Sequence, residues 1–402
     1  MREYFMNVIS FLAQIKADSD VNTMLADCQK MEEQTLKWQK QLCVIEAPSN
    51  EEEERAVYFA DLMKSIGLKT EIDNVNSVIS IWPGTKNELE PVVISAHLDT
   101  VFPKGTDCTV REKDGLLYAP GIGDDTRGLA ELLTLADILV RHNFHFSHPV
   151  WFVATAGEEN KGNLKGSRNF FAHHPKVHAF VSIDGSKCET LHYNAVGGCR
   201  MEITYTGTGG HAMRMFGYPN CNNAMGRAIS KIAELKVPDE PLTTFNIGTV
   251  RGGTVTTAIP TESTMSIDVR SLSDEILQKV KKEIEMLCIR ACEEENTYWN
   301  HPTERVQVRV ECPSERLGGM QPEDAEIVIM AKEIYHMFGV TPMISKGAST
   351  DANIPISMGI PSIAVGRGGF IEHGHTLNEV YHPKDAYIGV QRNFMLMAAL
   401  SW

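Results

Sequence analysis

Three short apolar runs, each ending in acidic or histidine residues, constrain this chain more than any other feature. Val92 to Ala96 leads into His97, Leu98 and Asp99, HPVWFVATAGEE ends in Glu158 and Glu159, and HAFVSIDGS ends in Asp184 and Gly185. Runs this short and this continuously apolar suit strands buried on both faces, as in a parallel sheet covered by helices. In open α/β sheets, ligands gather beyond the carboxyl ends of such strands. A doubly wound sheet would therefore bring His97, Asp99, Glu158, Glu159 and Asp184 into one crevice.

Between the first two runs lies GIGDDTRG, Gly121 to Gly128, followed by the apolar helical stretch Leu129 to Val140. The glycines free the backbone to present Asp124 or Asp125 at an unusual angle. One carboxylate held this way could bridge two metal ions, although an aspartate before a helix also suits an ordinary N-cap. Taken alone, the cap is the simpler reading, and the company the loop keeps argues for metal. Several carboxylates in one crevice repel one another unless a cation neutralises them. With His97 and His375 they make a donor set for two divalent ions, zinc first, with cobalt or manganese also compatible. Such a pair lowers the pKa of a shared water and polarises a substrate carbonyl.

Each of these residues has a plainer role available. His97 could be a satisfied strand-end histidine, the glutamate pair surface charge, Asp184 and Gly185 a turn, and His373 to His375 an incidental metal site. Their repeated placement at apolar strand ends argues against all of these holding together. TGTGGHA has the look of a nucleotide loop but lacks the full dinucleotide fingerprint.

At 402 residues the chain exceeds one hydrophobic core, so two domains are expected. The sequence changes character near Val196, where the alternating strand RMEITYT begins. A helix from about Asn222 to Leu235 follows, then strands over Thr243 to Val250 and Ser263 to Arg270. An amphipathic helix over Asp274 to Cys292 and the alternating strand RVQVRVEC complete the series. That order predicts a smaller α/β sandwich over 196–312, inserted into a catalytic domain made of 1–195 and 313–402. Around it, the spacing predicts an amphipathic N-terminal helix, helix over about 22–45 and over Glu51 to Ile66, and helices at Asp324 to Phe338 and Arg392 to Leu400. GASTDANIPISMGIPSIAVG reads as a loop with two short strands.

A net charge of −14 argues against nucleic acid and anionic membranes as partners, since both repel an acidic protein. No apolar run is long enough to span a bilayer. Nine scattered cysteines without a CxxC pair suggest free thiols in a reducing cytoplasm, and the N-terminus carries no signal-peptide pattern.

The motifs HLDTVFP, GIGDDTRGLAE, TAGEE, IDG, TGTGGHA, the strand pair around GTVRGGT and SIDVRS, GASTDANIP and HTLNE occur in this order. As a set they resemble the di-zinc peptidase and deacylase family that includes peptidase T, carboxypeptidase G, aminoacylase and acetylornithine deacetylase, with peptidase T nearest in motif. The resemblance implies that His97, Asp124 and Asp184 hold one zinc, and that Asp124, Glu159 and His375 hold the other. It implies that Asp99 orients His97 and that Glu158 is the general base acting on the bridging water. In the smaller domain, a lid that also dimerises, His211 would stabilise the oxyanion across the dimer and Arg270 would meet a substrate carboxylate. The expected substrate is a small peptide or N-acyl amino acid. Asp184, where carboxypeptidase and many deacylase members carry glutamate, points to an aminopeptidase.

Two departures stand out. Thr126 and Arg127 occupy a region where the family often has lysine, and Thr257 and Ala258 precede Ile259 and Pro260 where an asparagine is usual. The second places substrate preference in question and leaves the metal chemistry untouched. The remaining alternatives are an N-acyl amino acid deacylase and, from another class, an inactive peptide-binding protein. The N-terminal extension has no match in the family pattern.

Overall fold

The computed structural model describes residues 2–159, 162–345 and 347–402, and the chain divides into two units, Met1–Ala195 with Met320–Trp402, and Val196–Gly319. The first stretch opens with helices α1 (Arg2–Ala17), α2 (Ser19–Lys30), α3 (Glu32–Cys43) and α4 (Glu53–Ile66). The single helix expected over 22–45 is two helices that share Met31 as C-cap and N-cap. α4 stops at Gly67, whose φ of 117° is a left-handed termination that glycine tolerates. Strands β1 (Lys69–Ile72), β2 (Val78–Trp82) and β3 (Val92–His97) follow, then the short β4 (Arg111–Lys113) and β5 (Leu116–Tyr118). α5 (Thr126–His142), β6 (Val150–Thr155), α6 (Lys165–His173), β7 (Ala179–Gly185) and β8 (Thr190–His192) complete this stretch.

The second unit holds β9 (Gly197–Thr206), β10 (Gly210–His211), α7 (Cys221–Ala233), β11 (Thr243–Gly252), β12 (Ala258–Ile259), β13 (Glu262–Ser271), α8 (Asp274–Trp299) and β14 (Gln307–Arg316). Its main sheet is antiparallel in the order β11-β13-β9-β14. Alternate residues Cys199, Met201, Ile203 and Tyr205 of β9 form its core with Ala224, Ala228, Leu277 and Ile284 of the two helices. α8 runs on past Cys292 because Glu295 on the added turns is buried and accepts from Arg227 Nε at 3.0 Å and Trp299 Nε1 at 2.8 Å. β14 likewise continues beyond Cys312 through a bulge, its register stepping from Glu311 against Glu202 to Ser314 against Arg200.

The chain returns with α9 (Glu326–Met337), β15 (Met343–Ile344), α10 (Asn353–Ser357), β16 (Ser362–Gly366), β17 (Phe370–Glu372), β18 (Val380–His382) and α11 (Tyr387–Ser401). The segment expected to hold two strands forms one helix and one strand. Pro355 lies in the first turn of α10, where its missing N–H would have no helical partner in any case.

The first unit is built on a sheet ordered β1-β2-β6-β3-β7-β16-β8-β15, with β6, β3, β7 and β16 parallel to one another. Both faces are buried. Val92, Ile94 and Ala96 pack into the core that includes Leu129, Leu133 and Phe394, while Val93 joins Phe170, Phe171 and Ile354 on the other side. Pairing sets His97 against Thr155 of β6, and β7 runs alongside in step, Ser95 against Ser182, so the carboxyl ends of three strands lie level. Among the described residues, no helix is long and apolar enough to cross a membrane.

Candidate metal centre

The structure separates the two adjacent aspartates. Asp125 caps α5, its Oδ1 accepting from Gly128 N at 3.1 Å and its Oδ2 from His97 N at 3.0 Å. Both its oxygens are thus engaged by backbone amides. Asp124 turns instead to the strand ends, with Oδ1 at 3.0 Å from His97 Nε2 and Oδ2 at 3.0 Å from His375 Nε2. One carboxylate therefore faces two imidazoles. Glu159 Oε1 stands 2.8 Å from His375 Nε2, and Asp184 Oδ1 stands 3.7 Å from His97 Nε2.

Local backbone explains why Asp124 can do this. Gly121 takes a φ of 74°, where a Cβ would also meet Thr100 at 2.9 Å, and a Cβ on Gly123 would collide with the Ile371 side chain at 2.4 Å, so the packing favours glycine at both points. Glu379 clasps the same loop from the far end of the chain. It accepts from Gly121 N at 3.2 Å, Gly123 N at 2.8 Å and Asp124 N at 3.1 Å. His375 is itself held in the left-handed region, at φ 63°, a conformation a side chain keeps only where its surroundings impose it.

Asp99 serves the glutamates. Its carboxylate accepts Glu158 N at 2.8 Å, Glu159 N at 3.0 Å and the Ser49 hydroxyl at 2.6 Å. His97 Nδ1 lies 3.0 Å from the Asp99 main-chain oxygen and 3.5 Å from its carboxylate. Glu158 is buried beside it. Beneath the centre sits Arg367, also buried, with Nη2 at 2.8 Å from Asp184 Oδ1 and 3.2 Å from Asp124 Oδ1, and Nη1 donating to Gly123 O at 2.8 Å.

The N-terminal helices brace the loop. Gln39 of α3 donates to Ile122 O at 2.6 Å. Arg127, fully buried, meets Glu32 of α3 at 2.8 Å and Glu131 at 3.0 Å, and Glu131 accepts from Gly368 N and from Asn393. The departure at Thr126 and Arg127 is accordingly a structural tie between α3, α5 and the segment after β16.

The electrostatics suit a bound cation. Burial opposes a charge on His97, but Asp124, Asp184 and Asp99 outweigh it and hold the ring well above the ordinary histidine value. Asp124 and Glu159 raise His375 to about 11. Burial likewise opposes the Asp124 charge, yet Arg367 and the two imidazoles keep it well below the usual carboxylate range. The carboxylates therefore call for positive charge at the two imidazole nitrogens, where a divalent ion would replace the protons. Two groups of donor atoms fall within 4.8 Å of one another, His97 with Asp124 and Glu159, and His97 with Asp125 and Asp184. The donor set fits divalent metal.

His97, Asp99, Asp124, Glu158, Glu159, Asp184 and His375 are thus gathered in the first unit. His211 and Arg270 belong to the second. His211 is exposed on β10, where its Nδ1 accepts from Met213 N at 3.3 Å, and Arg270 pairs with Asp268 at 2.8 Å. Sequence reasoning missed Arg367 and Glu379. Glu379 closes the HTLNE motif and could have been suspected as a buried acid there. Arg367, in a glycine-flanked loop after β16, gave no such signal.

Residues 93–397 match the peptidase family M20/M25/M40, and the chain belongs to that family. By its description this is a family of peptidases. Aminopeptidase PepT from Bacillus cereus has the same fold, with a TM-score of 0.76 at 20% identity over 92% of this chain and 99% of that one. A tripeptidase from Staphylococcus aureus gives 0.75 at 22% identity, over 92% and 98%. The Bacillus subtilis YXEP protein, a dinuclear metal binding peptidase of the M20 family, gives 0.67 at 16% identity over 93% and 99%. In sequence, the succinyl-diaminopimelate desuccinylase of Coxiella burnetii is 28% identical over 106 residues, 25% of this chain and 28% of that enzyme.

Proposed function

We propose that this protein is a di-zinc aminopeptidase acting on di- or tripeptides, with cobalt or manganese able to serve in place of zinc. The observation that carries the reading is Asp124, whose two oxygens each face a different histidine. In this assignment His97, Asp124 and Asp184 hold one ion, and Asp124, Glu159 and His375 the other. The ions, when bound, supply Lewis acidity that polarises the scissile carbonyl and makes water acidic enough to attack near neutral pH.

This chain's residues do the rest. The Glu158 carboxylate takes the proton from the attacking water and returns it to the leaving nitrogen. Asp99 fixes Glu158 and Glu159 through their amides, so base and ligand keep their relative positions. Asp184 is one methylene shorter than glutamate, which leaves space for a free substrate amine, and the surrounding carboxylates pair with its ammonium. The second unit is assigned as a lid and dimerisation domain, His211 as an oxyanion donor across a homodimer and Arg270 as a substrate contact.

The desuccinylase relative supports a second reading, removal of an acyl group from an amino acid by the same centre. Comparing a free tripeptide with its N-acetylated form separates the two. The aminopeptidase assignment expects cleavage of the free peptide and a large loss of kcat/KM on acetylation. Faster cleavage of the acetylated compound would overturn it in favour of the deacylase.

A further inference from the structure

In the second unit, neighbouring antiparallel strands β9 and β14 each carry one cysteine against the core that packs under α8. Cys199 Sγ lies 2.7 Å from Cys312 Sγ, inside ordinary sulfur–sulfur contact and not far beyond a covalent bond of roughly 2.05 Å. The bulge makes this approach possible. It sets Cys312 and Pro313 together against Met201, so Cys312 reaches diagonally along the core side to Cys199. Among the described residues, no other two cysteine sulfurs approach this closely.

The pair is asymmetric. Cys199 is buried and Cys312 is partly open to solvent. Burial and the facing sulfur push the Cys199 thiol well up, and Cys312, partly open to solvent, is the sulfur that a soluble disulfide reaches first. Lys281 stands close by, its Nζ 2.6 Å from Glu315 Oε2, and Cys312 Sγ is 3.9 Å from that same oxygen. A reachable thiol beside a buried partner is the arrangement of an attacking and a resolving cysteine.

We propose that Cys199 and Cys312 form a reversible redox pair that closes to an intramolecular disulfide by exchange with a small-molecule disulfide. The Cys312 thiolate attacks one sulfur of that disulfide, and its displaced half leaves and takes up the Cys312 proton. Cys199 then attacks the Cys312 sulfur, and the second half leaves with the Cys199 proton. The protein gives up two protons and two electrons, and the small disulfide is reduced to two thiols.

The pair's position gives the bond a consequence. β9 starts where the chain enters the second unit at Val196, and β14 ends shortly before it leaves at Gly319. The bond joins residues 113 apart, tying the incoming strand to the outgoing one and restricting the unfolded chain.

The test equilibrates the full chain with glutathione and glutathione disulfide at rising oxidised fraction, alkylates the remaining thiols and maps the peptides. The expected product is one linked pair of peptides carrying Cys199 and Cys312, lighter by about 2 Da, with the other cysteines alkylated. Oxidation should raise the thermal midpoint by several degrees, and a dithiol reductant should reverse the rise. Cys312→Ser, at a partly exposed position, should lose both the linkage and the shift. Glutathione retained on Cys312 without a link to Cys199, a link between other cysteines, or no link at any ratio would overturn the proposal.

Discussion

Glu158 and Glu159 are adjacent in sequence, and their surroundings divide their work. Glu159 presents Oε1 to His375 and so stands with the candidate metal donors, whereas Glu158 makes no part of either candidate group. Glu158→Gln should therefore keep metal occupancy while lowering kcat by a factor on the order of 100 or more, because only proton transfer is removed. Glu159→Gln should weaken metal binding, as read by competition with a chelator. Identical behaviour of the two variants would mean the roles are wrongly divided. At this scale much of the centre was legible, because His97, Glu158, Glu159 and Asp184 follow directly on apolar runs. The residues alone left Asp124 and Asp125 open and the family resemblance picked Asp124; the coordinates add the physical reason, that both Asp125 oxygens accept from backbone amides. Arg367 was illegible because its partners, Asp124 and Asp184, lie far away in sequence and come together only in the fold.

The elements tell a similar story with a different cause. The buried strands were plain from apolar runs, but the C-terminal end of α8 depends on the tertiary partners of Glu295, Arg227 among them. The N-terminal helices, which the family pattern does not cover, are accounted for by what they hold. Arg127 is fully buried between Glu32 of α3 and Glu131 of α5, and without it both acids would lose their cationic partner, Glu131 keeping only its bonds from Gly368 and Asn393. Arg127→Met should destabilise the protein by about 3–5 kcal/mol, the cost of breaking a buried ion pair from one side. Urea unfolding measures this directly. A loss within experimental error would show that α3 does not brace the loop through this network.

For the molecule as a whole, the sequence placed an inserted α/β unit near Val196, and the chain divides at Val196 and Gly319. Where the insert ends was harder to read, because a bulge hides the continuation of β14 beyond Cys312. The proposed lid role implies a shared site. Mixing inactive Glu158→Ala with inactive His211→Ala protein should recover part of the activity if subunits exchange, since one site in the hybrid dimer then has both groups intact. A strictly monomeric active species would reject it. The central claim, however, is the metal pair, because Asp124 faces two imidazoles amid carboxylates that cannot share a crevice uncompensated. Elemental analysis of the active protein, followed by chelation and readdition, tests it most directly. The account predicts two divalent ions per chain, loss of activity on their removal and recovery on their return. Full activity in protein that carries no divalent metal would contradict it.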